Sequence, residues 1–316
     1  MLNGITNFVY LFLILFKQKI FIMNNYPSIA IVLSFLGLWI TSFFSNDFQV
    51  GIGFVLILSF GILHGANDIL ITKNIINKKK EFSKMKIIIL YIIVVVFGAL
   101  LFYFLPILTL LLFVLISGYH FGEQQLDYLK GELLQYNFVF KTLYGLSVLF
   151  LLFGFHINDV IDVVYEITSY TIDESLIINT LYLILILFTI NYIFVFKKLK
   201  VNQSIFLNEL FYLLVFAIIF KVSSLIWGFT IYFIVWHSMP SIINQTKFLY
   251  GSFNYFTFMK YIKEALFYWV VSLIGLFLFY FLFQDIKLFN TLFFSFLAAI
   301  TFPHVVVILK MFGRKY

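Results

Sequence analysis

Apolar stretches of about twenty residues recur along the whole chain, and only short polar connections separate them. That length is what an α-helix needs to cross the hydrocarbon core of a bilayer. In lipid the backbone finds no outside partner, so a spanning segment must close its own hydrogen bonds. Candidate spans run over 28–44, 50–71, 87–105, 106–125, 138–155, 176–196, 205–220, 225–245, 262–283 and 291–309. A shorter apolar run at 5–16 reads as an interfacial or incomplete span, since it lacks the basic start and small-residue cleavage site of a signal peptide. The expected fold is therefore all-α: a polytopic integral membrane bundle of about ten or eleven helices. Residues 1–316 form one membrane-embedded domain, with 1–24 as its uncertain edge. Composition agrees, with 63% hydrophobic and only 11% charged residues leaving no stretch for a separate aqueous domain.

The polar connections set an orientation. Lys73, Lys78, Lys79, Lys80, Lys84 and Lys86 crowd one loop; Lys197, Lys198 and Lys200 another; Lys247, Lys260 and Lys263 a third; Arg314 and Lys315 follow the last span. With these spans all four groups fall on one side. The opposite side receives an acidic loop with Asp159, Asp162, Glu166, Asp173 and Glu174. Lys and Arg concentrate on the cytoplasmic side of membrane proteins, so the net charge of +7 reads as a topology signal and not as a nucleic-acid surface. A multi-pass membrane protein with a cytoplasmic C-terminus is expected. The absence of cysteine excludes disulfides, thiolate metal sites and iron–sulfur clusters.

Ionisable groups inside a bilayer are costly and mark function by default. Of the five histidines, four lie inside spans: His64, His120, His237 and His304. Their helices all run toward the basic side. Each histidine stands five to eight residues before that end, which at ~1.5 Å per residue puts all four about 8–12 Å inside the boundary. His156 lies at the far end of its span, beside the acidic loop. Four imidazoles at one depth on four helices are how a bundle builds a metal site in its core, here in the inner half of the bilayer. Asp68, four residues after His64, and Glu123, three after His120, stand where carboxylates could orient imidazoles through Nδ1–H. Asn67, Gln124, Ser117 and Tyr119 could complete a polar shell.

The residue types leave several chemistries open. Zinc with four histidines would be structural, whereas iron with four histidines keeps positions for O2 or substrate. Bis-histidine haem is the main rival. A substrate reaching such a site would itself be lipophilic, and Tyr119, Phe121 and Trp236, neighbours of the histidines, are candidates for a polyene tunnel.

Four motifs carry a resemblance. Gly61-Ile62-Leu63-His64-Gly65-Ala66-Asn67-Asp68 resembles the His-Gly-x-x-Asp motif of the Brp/Blh family of bacterial and archaeal β-carotene 15,15′-dioxygenases. Ser117-Gly118-Tyr119-His120-Phe121-Gly122-Glu123 is similar to that family's His-Phe-Gly motif, Trp236-His237-Ser238-Met239-Pro240-Ser241 to its third, and Pro303-His304-Val305-Val306-Val307 to its fourth. The resemblance implies an integral membrane enzyme that uses Fe(2+) and O2 to cut the central double bond of β-carotene into two retinals. It implies iron held by histidines of these motifs, and a functional link to a retinal-binding rhodopsin. One departure stands out: many members carry a second histidine four residues after the one matching His237, and here that residue is Ser241. His304 would then complete the ligand set, or the site would have three histidines plus water or a carboxylate. Two other classes fit the residues: a haem-binding membrane electron-transfer protein, which would show a Soret band, and a non-enzymatic rhodopsin-associated accessory protein, which would hold no stoichiometric metal.

Overall fold

A computed structural model describes residues 26–76, 83–127, 137–198, 203–282 and 289–313. The described residues form eleven helical runs and no strand. They are α1 (Tyr26–Thr41), α2 (Asn46–Ile76), α3 (Lys84–Phe104), α4 (Pro106–Gln125), α5 (Asn137–Phe155), α6 (Ile157–Thr168), α7 (Glu174–Lys198), α8 (Gln203–Val222), α9 (Leu225–Tyr250), α10 (Tyr255–Leu282) and α11 (Phe289–Phe312). Seven of these, α2, α3, α4, α5, α7, α9 and α11, contain stretches long and apolar enough to cross a membrane, and α1 is a shorter apolar helix. Every span expected from 28 onward coincides with a helix. The run at 5–16 lies outside the described residues.

The acidic connection is a correction. Residues read from sequence as a loop form α6, a twelve-residue helix. Val160, Val163, Val164 and Ile167 recur at helical spacing and face inward, while Asp159, Asp162 and Tyr165 are exposed. Such a stripe with charges opposite makes an amphipathic helix. The charges mask it in a search for apolar runs.

The surface of the bundle is apolar. On α3 the side chains of Ile92, Ile93, Val96 and Phe97 are all exposed. A contiguous surface of this kind would drive association in water and suits lipid.

Close helix packing centres on α4 and α5, the most extensive helix pair. Gly118 and Gly122 stand one turn apart on α4 and face Gly145 on α5. A Cβ on Gly122 would lie 1.8 Å from the Lys141 carbonyl oxygen, and one on Gly145 would lie 1.8 Å from that of Gly118. Small residues at this spacing let helix backbones touch where lipid removes the hydrophobic drive for association. His120 sits between the two α4 glycines, so this contact fixes its position.

Candidate metal centre

Three of the four histidines sit at departures from regular α-helix. In α2 a π-helical turn, Ile57–Gly61, precedes His64, and the helix breaks at Ala66 and Asn67 just after it. In α9, His237 lies within a longer π-helical stretch, Tyr232–Ser238. In α11, His304 follows Pro303, whose nitrogen cannot bond the preceding turn. π-Helical turns are rare and concentrate at functional sites. Their widened turns leave carbonyls for side chains from other helices. Trp269 Nε1–H of α10 donates to the Ser59 carbonyl at 2.9 Å, Tyr26 of α1 to that of Val235, and Gln124 Nε2–H of α4 to that of His237 at 2.5 Å.

The four imidazoles meet as a ring of rings. Centroid separations around it are 5.2 Å for His64–His237, 4.8 Å for His237–His120, 5.2 Å for His120–His304 and 4.7 Å for His304–His64. Each adjacent pair crosses edge to face, with interplanar angles between 78° and 90°. All four residues are buried. Helices distant in sequence thus bring together the four histidines that share one expected depth. His156 is elsewhere, bonded through Nε2 to the Phe220 carbonyl at 2.8 Å.

Hydrogen bonds brace the ring from outside. Gln245 Nε2–H donates to the His64 carbonyl at 2.7 Å, and the Tyr261 hydroxyl donates to Gln245 Oε1 at 2.8 Å. Ser241 accepts from the same Gln245 nitrogen at 3.0 Å. It therefore supports the backbone of His64 through Gln245. Ser238 Oγ lies 3.4 Å from His64 Nδ1.

The expected carboxylate roles divide. Asp68 orients an imidazole, but that of His304 across the bundle and not that of His64 on its own helix. His304 Nδ1–H donates to Asp68 at 2.9 Å, and Tyr91 donates to the same carboxylate at 2.9 Å. The break at Ala66–Asn67 explains the change, because the one-turn spacing of His64 and Asp68 no longer spans a continuous helix. Glu123 bonds the Tyr119 hydroxyl, and neither ring nitrogen of His120 has a hydrogen-bond partner, so the expected Glu123–His120 pairing is not made. Asn67 donates to the Tyr261 carbonyl at 3.0 Å.

The aromatic candidates divide as well. Phe121 packs on His237 at 4.7 Å and lines an apolar cavity. Tyr119 packs against Phe138 at 4.7 Å. Trp236 donates to Ser34 Oγ at 2.9 Å and packs on Phe216 and Tyr212. Sequence reasoning missed Phe233, which stacks on His237 at 5.5 Å and crosses His64 at 5.5 Å. A Cβ on Gly61 would lie 2.5 Å from its ring, so the glycine before the first motif histidine makes room for Phe233. It also missed Tyr91, Gln245 and Tyr261, which lie outside the motifs.

The donor set fits a divalent cation in kind. Both ring nitrogens of His120 and Nε2 of His304 are buried without a hydrogen-bond partner. An orphaned buried polar atom costs about 1–3 kcal/mol. Because His304 Nδ1–H donates to a carboxylate, its Nε2 carries a lone pair, the form in which imidazole binds a metal. In spacing they do not yet match: among the described residues, no group of three or more His, Cys, Asp or Glu side chains is arranged to hold a metal ion.

Fold and site together define an all-helical protein, built largely of membrane-length apolar helices, whose buried centre is a cluster of four histidines. The sequence model of the family described as Beta-carotene 15,15'-dioxygenase matches residues 55–312, a span that contains all four. The chain belongs to that family, whose members are carotenoid-cleaving dioxygenases. No curated protein and no solved structure matches it.

Proposed function

We propose that the chain cleaves the central 15,15′ double bond of β-carotene with O2 at a nonhaem Fe(2+) centre, giving two molecules of retinal. The observation that carries this reading is the buried ring of four imidazoles, within the matched family, with three ring nitrogens lacking any hydrogen-bond partner. His64, His120, His237 and His304 would hold the iron, and Asp68 would fix the tautomer and direction of His304. When bound, iron supplies the activation of O2 that an alkene and a triplet oxidant lack.

The chain's residues have a simple task. One oxygen atom is added to each carbon of the broken bond, so atoms and electrons balance with no proton taken or released. No general acid or base is needed, and burial of the imidazoles keeps water from the reaction. Phe121 and Phe233 present apolar faces beside His237 and would position the polyene. The protein would sit in a bacterial inner membrane with its basic face toward the cytoplasm, a direction the lysine distribution favours. A link to a rhodopsin rests on the product alone.

Expression in a host that makes β-carotene tests the reaction: pigment should bleach and retinal accumulate, with iron in the purified protein. Folded, iron-loaded protein that leaves the pigment intact sinks the reading. Asp68→Asn is expected to weaken iron retention by 10–100-fold, read as iron remaining after dialysis against graded chelator. Tyr91→Phe should act in the same direction but less. Wild-type retention in D68N would show that the Asp68–His304 bond does not serve the metal.

A further inference from the structure

The ring of histidines leaves a neighbouring feature unused. An apolar cavity of about 120 Å³ lies between α4, α5, α6, α9 and α11. Along α4 its wall is the stripe Leu110, Val114, Ser117 and Phe121, about 16 Å of helix at 1.5 Å per residue. Ser117 is the one polar side chain among the lining residues. Two aromatic contacts join the cavity to the imidazoles. Phe121 touches His237 directly, and Phe229, another lining residue, stacks at 5.1 Å on Phe233, which stacks on His237. Helix α6 contributes Val160, Val163, Val164 and Ile167 to the wall.

We propose that this cavity seats one hydrocarbon arm of the carotenoid, and that α6 is the wall which meets its end group and sets which ends are accepted. The inference rests on the reading of the site as a carotenoid-cleaving centre. A substrate cut at its middle must project half its length away from the metal. The only partners it offers there are apolar, as are the walls. The cavity is close to the ~150 Å³ that holds a benzene-sized ligand in an apolar core, so it takes a ring or a short polyene segment without change. A longer arm requires α6 to shift outward. Breaks bound that helix at both ends: His156, at φ −131° and ψ 44°, and Ser169, in the left-handed region at φ 55°. Its acidic face is exposed, while Val160 and Ile167 are buried against the bundle.

The test uses the full-length, iron-loaded chain in detergent and β-carotene as the probe. Binding is measured without oxygen, where no cleavage can occur, and kcat/KM with oxygen. Val164→Trp should weaken anaerobic binding and lower kcat/KM by at least tenfold while iron content stays at the wild-type level. Val164→Ala, which only enlarges the space, should raise the rate on a carotenoid with bulkier rings relative to β-carotene, and it decides the matter should V164W lose its iron. Wild-type binding in an iron-loaded V164W, or unchanged preference in V164A, overturns the cavity assignment while leaving the cleavage reading intact. Wild-type protein that binds β-carotene, loses it in V164W, and yet forms no retinal overturns the cleavage reading and supports the cavity. Wild-type protein that does not bind β-carotene overturns both.

Discussion

Alanine in place of His64, His120, His237 or His304 is expected to reduce retinal formation to background and to strip the protein of iron. Each side chain contributes an imidazole to one closed ring with neighbours 4.7–5.2 Å away, so no other histidine can replace it. The fifth supplies the control. His156 is bonded to the Phe220 carbonyl, and His156→Ala should keep both iron and activity. The measurement is metal content by elemental analysis beside retinal by chromatography, on protein shown to be folded. A variant of the four that keeps full iron and full cleavage leaves the ligand set. His304→Ala is the most informative, because the motif resemblance implies a further histidine where this chain has Ser241. Loss of iron in that variant shows that His304 completes the shell. Retention shows that three histidines suffice.

Gly122→Ala is expected to be, with Gly145→Ala, among the most disruptive methyl additions at the described glycines. The added carbon would lie 1.8 Å from the Lys141 carbonyl oxygen and 2.7 Å from its carbon. Backbone cannot rotate away as a side chain can, so α4 and α5 must separate. Overpacking typically costs 1–3 kcal/mol, and a contact this short on backbone should reach about 3 kcal/mol or more. Separation also moves His120, two residues away, out of the ring. A lower melting temperature and lost iron should therefore appear together. Gly51→Ala is the matched control: a Cβ there meets nothing within 4 Å, and stability should hold or rise slightly, since alanine favours helix over glycine. A G122A protein that melts and binds iron like wild type would remove the glycine contact as the device that places His120.

Much of this architecture was legible before any coordinates. The apolar runs announce helices because lipid leaves the backbone no other partner, and the described helices coincide with the expected spans. The histidines stood out for a related reason, as buried polar groups in a medium that penalises them. Less legible were elements whose pattern carries no such penalty. Helix α6 hid behind its acidic face. The π-helical turns before His64 and around His237 leave no mark in composition, since they depend on carbonyls being met by Trp269, Tyr26 and Gln124 from other helices.

The partner of Asp68 shows where the boundary falls. Helical spacing points Asp68 at His64, its neighbour by one turn. The fold breaks that helix and hands the carboxylate to His304, 236 residues away in sequence. Sequence alone determined that the chain is a bundle of apolar helices with four costly imidazoles inside, because burying a polar group in lipid has a penalty that residue type and span position already express. Which imidazole each brace serves, and which aromatic rings face the centre, was decided only by tertiary structure. Those choices depend on the angle and approach of helices that glycine contacts, π-turns and interhelical hydrogen bonds set together.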